Sequence, residues 1–352
     1  MYPQRLYMAG LVVAGVAACA LHVHMAQSWG TAQVIQGRDD LKRAIMRRYP
    51  PDAASCSGGT KGADFAYVSI LTCTRKLSVY YLQSSMKLVT SIREHSLPQD
   101  DFDAILLMGS CQGEDPASFA LLEQAGWSLC HVPLIKGPSY VPESHNRFTS
   151  SGMFTKFHAW NLQRYSAVLF LDSDTMVLKP VMKYLRQSAQ RMTANNQTLG
   201  AVPQHMTTCN PFTCLFYSSS DCPIAKDSKR GFNAGVMLIR PHWDTYRWLI
   251  SSIENISFDV DWAEQGLLNA MYPPSSFEEL DPRYNFLTFQ NPCGRSQWEK
   301  MIGDINIIHF THPKPWECDW TTALERSMFN THETCELWKN APLILNSSMP
   351  HN

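Results

Sequence analysis

This sequence has almost no net charge. Its 30 Lys and Arg residues nearly balance 31 Asp and Glu residues, which leaves a formal net charge of −1 at pH 7. Such a chain has neither the positive field that holds a nucleic acid nor an acidic tail. It also lacks internal repeats, blocks of like charge and low-complexity segments. Its 352 residues, 45% of them hydrophobic and 17% charged, predict an ordinary globular protein with an ample core.

The cysteines lack the spacing of a zinc site. None of the 11 stands in a CxxC pair or at zinc-finger spacing from a histidine, so disulfides are the favoured interpretation. Setting aside Cys19, which lies in the N-terminal apolar run, leaves 10 of the 11, an even number that fits an oxidising lumen. The cysteines in irregular stretches are Cys209, Cys214, Cys222, Cys293 and Cys318. Three N-x-[ST] sequons, at Asn196, Asn255 and Asn346, favour glycosylation.

The N-terminal segment has no charged residue between Arg5 and Arg38. Its apolar run, from about Leu6 to Leu21, is short for a spanning helix, which needs about 20 residues. It fits a signal peptide or a short signal-anchor over residues 1–26. We expect an uncleaved anchor in the Golgi membrane, with type II topology and the rest of the chain in the lumen; cleavage would instead give a secreted protein. The polar residues 27–63 predict a stalk or linker.

Apolar runs alternate with helical patterns along the rest of the chain. The predicted strands are Phe65–Cys73, Phe102–Met108, Ser128–Val132, Ala167–Leu171, Leu199–Val202, Gly235–Ile239 and Ile305–Phe310. The predicted helices are Val79–Glu94, Ala117–Ala125, the amphipathic Phe154–Arg164, and Trp243–Glu254. This alternation predicts an α/β fold with a parallel sheet.

The most informative motif is an apolar run that ends in two carboxylates. Ala167–Leu171 predicts a strand buried on both faces, and Asp172 and Asp174 follow it. On an extended backbone these two side chains point the same way, because side chains alternate along a strand. They would form half of a Mg²⁺ or Mn²⁺ site at the carboxyl end of a strand, where open α/β sheets bind ligands. A polar turn capped by Asp172 is the alternative interpretation.

Two other motifs place small or polar groups beside apolar segments. Asn233 and Ala234 stand with Gly235 at the start of an apolar run, where a ligand could approach the backbone closely. A simple turn is the alternative there. The segment Asp261–Asn269 places Asp261, Glu264 and Gln265 at a helix start, where they could hold a sugar. Capping of the helix is the alternative.

A late apolar run leads into His309 and the stiff segment around Lys314. An imidazole added to Asp172 and Asp174 would make a plausible Mn²⁺ ligand set, although a lone histidine after a strand is often structural. Lys314, held between two prolines, could offset the charge of a phosphate.

The five motifs, in their order along the chain, resemble those of a known family. They are VSILT, TKFHAWNLQRYSAVLFLDSDTMVLKP, FNAGVMLI, EQGLLN and HFTHPKPW, between Phe65 and Trp316. This combination resembles the family 8 glycosyltransferases, the glycogenin-like group. The resemblance implies a Rossmann-like GT-A-type fold, with a mixed, mostly parallel sheet flanked by helices. It places a single catalytic domain at residues 64–340, followed by a tail at residues 341–352.

The resemblance also implies roles for individual residues. The expected Mn²⁺ (or Mg²⁺) ligands are Asp172, Asp174 and His309. The expected UDP-sugar contacts are Leu71 and Thr72 at the uracil edge, Ser173 at the ribose, Arg147, Lys156 and Lys314 near the diphosphate, and Asn233, Ala234, Asp261, Glu264 and Gln265 at the donor sugar. Lys156, Asp261, Glu264 and Gln265 are the expected catalytic set, with Glu264 and Gln265 positioning the sugar rather than attacking it.

The implied activity is metal-dependent transfer of a sugar from a UDP-sugar, with retention of configuration, to a glycan, protein or lipid. Partners would be the donor, the acceptor, a membrane through the N-terminus, and a second copy in a homodimer, but no nucleic acid. Two departures from the family pattern are Glu264, where the family usually has Asp, and His312, where it usually has Gly. They keep open a lumenal UDP-sugar-binding pseudoenzyme, and a self-glycosylating primer is a further alternative. A nucleotidyltransferase is disfavoured because the first strand-turn has no Gly-rich phosphate loop.

Overall fold

Two β-sheets meet in the described part of this chain, which we analysed as a computed structural model. The structure describes residues 55–56, 63–73, 77–111, 116–141, 152–204, 231–288, 302–311, 314–317 and 331–343. All of these fall within one compact unit, Pro51–Asn352. The predicted anchor and most of the predicted stalk lie outside the described residues. Within the described ranges, no helix has the length and apolar character needed to cross a membrane.

Eleven strands are described, and most coincide with the predicted apolar runs. In chain order they are β1 (Ser55–Cys56), β2 (Phe65–Thr72), β3 (Asp103–Gly109), β4 (Ser128–Val132), β5 (Ala167–Leu171), β6 (Thr175–Val177), β7 (Leu199–Gln204), β8 (Gly231–Ile239), β9 (Glu278–Glu279), β10 (Phe286–Leu287) and β11 (Ile307–His309). The larger sheet has the order β1-β4-β3-β2-β5-β8-β7-β9, and the smaller one has the order β10-β11-β6.

The four strands at the centre of the larger sheet are parallel, as predicted. β4, β3, β2 and β5 run in one direction, so their carboxyl ends lie at one edge. β8 runs antiparallel to both β5 and β7, which makes the sheet mixed. β5 is buried along its whole length, because its residues are covered on both faces. The fold is therefore the predicted α/β class with a mixed sheet.

Helices cover the sheets. They are α1 (Val79–Glu94), α2 (Pro116–Ala125), α3 (Met182–Ala194), α4 (Trp243–Asn255), α5 (Ala263–Met271) and α6 (Thr331–Asn340). Short 3-10 helices occur at Met153–Asn161, Val260–Trp262 and Pro282–Tyr284. The first of these corrects the predicted amphipathic helix Phe154–Arg164. Every residue from Phe154 to Asn161 is buried, because the segment is enclosed by its neighbours and has no solvent face.

The smaller sheet lies directly after the end of β5. The chain leaves the larger sheet at Leu171, turns at residues 172–174 and enters the smaller sheet as β6. One apolar cluster packs against the smaller sheet; it contains Met176, Phe286, Ile305, Ile308, Phe310 and Trp338. The link between the two sheets therefore carries the two predicted metal-binding carboxylates.

Disulfides are present, in agreement with the cysteine pattern. Cys73, after β2, is bonded to Cys111, after β3. Cys130 and Cys335 are also disulfide-bonded. The other predicted candidates, from Cys209 to Cys222, Cys293 and Cys318, lie outside the described residues.

Candidate functional site

The two carboxylates meet in a tight turn rather than on an extended strand. The Thr175 amide and hydroxyl both donate to the Asp172 carbonyl, at 3.0 and 2.8 Å. The expectation that side-chain alternation would align Asp172 with Asp174 was therefore wrong. The turn from Asp172 to Thr175 brings them together instead, with one ligand atom of each within 4.8 Å of the other. Ser173 lies buried at the middle of this turn.

The pairing of β11 with β6 brings His309 to the turn. His309 lies opposite Thr175 in the antiparallel register, and the Phe310 amide donates to the Asp174 carbonyl at 2.9 Å. His309 Nε2 lies 3.4 Å from Asp174 Oδ1. One ligand atom from each of Asp172, Asp174 and His309 lies within 4.8 Å of the others. We call these three residues the Asp-Asp-His cluster.

A buried amide fixes the orientation of the His309 ring. Asn285 Nδ2 donates to Asn233 Oδ1 at 3.1 Å, so the Asn285 oxygen faces His309 Nδ1, 3.2 Å away. An amide oxygen only accepts, so Nδ1 carries a proton, and Nε2 is the ring nitrogen that faces Asp174. Metal-binding histidines are oriented in this way by a partner on the second ring nitrogen. Two carboxylates and one such imidazole suit Mn²⁺ or Mg²⁺.

Gly235 leaves room for the His309 ring in the cluster. A Cβ atom at this position would lie 2.1 Å from His309 Cε1 and 2.5 Å from His309 Nδ1, so no side chain fits. The Gly235 carbonyl accepts from the Asp172 amide at 2.7 Å. Since β8 runs antiparallel to β5, its early residues necessarily lie beside the end of β5. In the structure it is His309 that lies close to this glycine, and the approach of a ligand stays a prediction.

Lys314 contacts the cluster from the segment after β11. Its ammonium group pairs with Asp174 Oδ2 and is also 3.3 Å from the Phe310 carbonyl. Burial opposes ionisation of Asp174, but Lys314 and then His309 outweigh it and hold the pKa of this carboxyl well below its usual range. Burial likewise opposes the charge on Lys314, but Asp174 raises the pKa of the amine. Both groups are therefore charged near neutral pH.

Lys156 forms a second buried ion pair beside the cluster. Its Nζ lies 3.1 Å from Asp172 Oδ1 and 2.6 Å from Glu264 Oε1, and 3.5 Å from the Ala234 carbonyl. Burial alone would lower the pKa of Lys156, but the carboxylates of Asp172 and Glu264 outweigh burial and raise it. Glu264, which is longer than the Asp that the family pattern has there, spans the distance from α5 to this lysine. The pair links α5 to the Asp-Asp-His cluster.

Side-chain amides bind one another beside the cluster, along the start of β8. Gln265 Oε1 accepts from Asn233 Nδ2 at 3.1 Å and from the Ala234 amide at 3.0 Å. Asn233 Oδ1 accepts from the Gly235 amide at 3.0 Å and from Asn285. These contacts join Gln265, Asn233, Asn285 and His309 into one network.

The expected uracil-edge residues lie at the carboxyl end of β2. Leu71 is buried and Thr72 is partly exposed, and both pair with β3. The next residue is Cys73. Its amide donates to the Gly109 carbonyl at 2.9 Å, and its sulfur is bonded to Cys111. The disulfide therefore links the ends of two neighbouring strands at this edge.

Among the described residues, one predicted site residue, Asp261, is not part of these contacts. Asp261 is exposed on the 3-10 helix Val260–Trp262, and its amide donates to Asp259 Oδ1 at 3.1 Å. Arg147 and His312 lie outside the described residues. Asn285, which orients His309, was not among the predicted site residues. Its only sequence signal is a position after Asp281-Pro282, which also suits an ordinary turn asparagine.

Comparisons with known proteins agree with this geometry. The sequence profile described as "Glycosyl transferase family 8" matches residues 73–320. Human Glycogenin-2 is 25% identical over 273 residues, covering 76% of this chain and 46% of the relative. Two Arabidopsis thaliana proteins are also similar. Inositol phosphorylceramide glucuronosyltransferase 1 is 25% identical over 290 residues, covering 76% of this chain and 45% of the relative. UDP-glucuronate:xylan alpha-glucuronosyltransferase 1 is 23% identical over 205 residues, covering 56% of this chain and 25% of the relative.

The chain spans less than half the length of each of these curated relatives. Among solved structures, the apo form of the WbbM bifunctional glycosyltransferase aligns with a TM-score of 0.53 at 15% identity. The alignment covers 81% of this chain and 51% of that one, and it shows a shared fold.

Proposed function

This chain belongs to glycosyltransferase family 8, and from that premise we propose that it transfers a sugar from a UDP-sugar to a hydroxyl acceptor in a metal-dependent reaction. The Asp-Asp-His cluster is the observation that carries this proposal. Its three ligand atoms converge within 4.8 Å at the carboxyl end of β5. A fixed imidazole and two carboxylates there suit a divalent cation that holds a diphosphate. When bound, such a cation supplies Lewis-acid stabilisation of the charge that develops on the leaving diphosphate.

The two lysines give the proposed site fixed positive charge. Lys314, whose ammonium reaches Asp174, would bind the diphosphate oxygens. Lys156 is fully buried between Asp172 and Glu264, and so it is better suited to fix these carboxylates than to move toward a substrate. In this scheme Lys156 fixes the carboxylates of Asp172 and Glu264, and Gln265 fixes Asn233, so the groups that face the donor sugar are held in place. Preorganised charge of this kind needs no rearrangement during the reaction.

We propose retention of configuration at the sugar carbon. The bond from that carbon to the phosphate oxygen breaks, the bond to the acceptor oxygen forms, and the acceptor proton passes to the departing diphosphate. Glu264 supports this front-face route over a carboxylate nucleophile. Its carboxylate is buried and lies 2.6 Å from Lys156, which holds it away from an attack on the sugar. The anomeric proton coupling of the product, measured by NMR, tests this point; inversion would contradict it.

The decisive experiment combines a donor panel with a ligand variant. Purified protein is incubated with Mn²⁺ and a set of UDP-sugars, and UDP release is measured. We expect turnover with at least one donor, and a loss of about 100-fold or more in Asp172→Asn, which weakens one ligand. Asp64→Asn is the matched control, because it makes the same chemical change at the exposed amino-terminal side of β2. Near-normal turnover in Asp172→Asn would contradict the metal assignment.

Two other outcomes would change the proposal. Tight UDP binding with no turnover of any donor would indicate a UDP-sugar-binding protein without transfer activity. A gain of sugar mass on the protein itself, seen by intact-mass spectrometry without an added acceptor, would indicate a self-glycosylating primer. Glycan, protein and lipid acceptors are compared in the same assay, with product mass as the readout.

We also propose that the protein works in the secretory pathway, anchored or secreted through its N-terminal apolar run. The disulfide between Cys73 and Cys111 and the oxidised state of Cys130 and Cys335 support an oxidising compartment. Loss of mass on glycosidase treatment of protein from secretory cells, absent from a protein whose Asn196, Asn255 and Asn346 are all changed to Gln, would support it. A fully reduced, unglycosylated cytosolic protein would contradict it. The homodimer stays a prediction.

A further inference from the structure

We propose that the C-terminal helix α6, which lies beyond the residues matched by the family profile, is a positioning element for Lys314 and thereby for the donor diphosphate. This inference rests on the proposed function, because it takes the diphosphate as the ligand of Lys314. The profile match ends at residue 320, whereas α6 covers Thr331–Asn340. Nothing in the motifs of the sequence points to this helix.

The first observation is a buried lysine that closes the end of α6. Lys87, on α1, donates from Nζ to the carbonyls of Trp338 at 2.8 Å, Ala341 at 2.6 Å and Lys339 at 3.3 Å. The last carbonyls of a helix have no partner within the helix, and a cation there also interacts favourably with the helix dipole. Lys87 is only 7% exposed, so this ammonium group is committed to joining α1 to α6.

The second observation is an aromatic chain that joins α6 to the segment of Lys314. The Lys87 ammonium lies 4.8 Å from the centre of the Trp338 ring. Trp338 meets Trp316 edge-on, with ring centres 6.3 Å apart. Trp316 stacks on Tyr80 at 5.8 Å and meets Tyr81 edge-on at 4.9 Å. Trp316 is therefore held between α1 and α6. We call Lys87, Trp338, Trp316, Tyr80 and Tyr81 the clasp.

The clasp is joined to Lys314 by a tight turn. The Lys314 amide donates to Glu317 Oε2 at 3.0 Å, and the Glu317 amide donates to the Lys314 carbonyl at 2.8 Å. Trp316 lies within this turn, two residues after Lys314. Fixing the Trp316 ring therefore fixes the backbone from which the Lys314 side chain extends to Asp174.

The same helix supports His309 from the opposite face of β11. Trp338 packs in one apolar cluster with Ile308 and Phe310, the two neighbours of His309. Because side chains alternate along a strand, His309 points to the other side, toward Asp174. Helix α6 thus supports both His309, which lies on β11, and Lys314, which lies in the segment after β11.

Lys87→Met tests the clasp, because it removes the ammonium group and keeps most of the apolar stem. We expect the Kd for UDP and the KM for the UDP-sugar to rise about 10-fold, with kcat within about 2-fold of wild type. Uridine, which has no phosphate, should bind as it does to wild type. Lys87→Arg should restore most of the UDP affinity. Trp338→Phe, a milder change in the same clasp, should raise the Kd for UDP in the same direction.

Arg93→Met is the matched control. Arg93 is also on α1 and donates to a carbonyl after a helix end, that of Gly126 at 2.8 Å, but it is not part of the clasp. We expect it to lower thermal stability without changing the Kd for UDP. Unchanged UDP affinity in both Lys87→Met and Trp338→Phe would overturn the inference. So would an equal loss of UDP and uridine binding, because that indicates general destabilisation.

Hydrogen exchange separates this inference from the proposed function. In protein without nucleotide, Lys87→Met should speed amide exchange at residues 314–317 relative to Arg93→Met. If wild type neither binds UDP nor turns over a donor, the proposed function fails, whereas faster exchange would still support the structural link. Unchanged exchange would refute that link.

Discussion

Gly235→Ala tests the assembly of the Asp-Asp-His cluster with the smallest possible change. It adds one methyl group and removes no ligand, charge or hydrogen-bonding group. The added Cβ would lie 2.1 Å from His309 Cε1, whereas ordinary van der Waals contact begins at 3.4 Å. His309 is buried and bonded to Asn285, so its ring cannot rotate freely away.

The expected size of the effect comes from this overlap. The ring must retreat by more than about 1 Å, and metal–ligand distances hold within about 0.2 Å. A displacement of about 1 Å at a reacting centre costs about 100-fold in rate. We therefore expect Mn²⁺ affinity and kcat to fall by about 100-fold each, with a loss of about 1–3 kcal/mol in the free energy of unfolding from overpacking. Mn²⁺ titration against UDP release, with thermal unfolding alongside, measures all three.

Gly200→Ala provides the control. Gly200 lies on β7 of the same sheet, and its added Cβ would lie 3.3 Å from Met192 Sδ and 3.4 Å from the next two atoms. This space accepts a methyl group with a small adjustment far from the cluster. We expect wild-type metal affinity and turnover. If Gly235→Ala also binds Mn²⁺ and releases UDP like wild type, the geometry assigned to His309 is refuted.

Charge, cross-linking and pH provide three further tests. Lys156→Met leaves the buried carboxylate of Glu264 and the partly buried one of Asp172 without their cation, so urea unfolding should show a loss of about 3 kcal/mol; a loss below about 1 kcal/mol would contradict the pairing. Changing Cys73 and Cys111 together to Ser opens a loop spanning 38 residues and should lower the free energy of unfolding by about 4 kcal/mol, and an unchanged urea midpoint would count against this. Burial lowers the pKa of His158 to about 4 from 6.5, despite its bond to the Pro133 carbonyl. Below pH 6.5 His158 is protonated in the unfolded chain but stays neutral in the folded chain until the pH nears 4. The free energy of unfolding should therefore fall by about 2 kcal/mol from pH 7.5 to pH 5. Much of this pH dependence should disappear in His158→Gln.

The central strands could be predicted because they are buried on both faces. The apolar run Ala167–Leu171 is continuous in sequence, and the structure gives the strand the same bounds and buries all of its residues. Because the carboxyl ends of parallel strands share one edge of the sheet, the sequence also predicts that the polar residues after these strands lie at that edge. Helix α3 was not predicted, because its exposed surface is rich in polar residues and only Met182, Leu185, Ser188 and Met192 are buried.

The details of the site depend on pairing that local sequence does not encode. The turn at Asp172 depends on bonds from Thr175, and the approach of His309 depends on the pairing of β11 with β6. Asn285 acts through two partners on distant segments, Asn233 and His309. Residue types and spacing predict which groups are available for chemistry. They do not predict which of them orient the others.

The turn between the two sheets also limits how the chain can change in length. β6 and β11 are three residues long, and Thr175 pairs with His309 in a single register. A slip of one residue would place Ile308 or Phe310 opposite Thr175 and turn the imidazole toward the apolar side. One residue inserted between Asp172 and Val177 would separate the ligands, so we expect relatives that share this chemistry to conserve the length of this segment before they conserve its side chains.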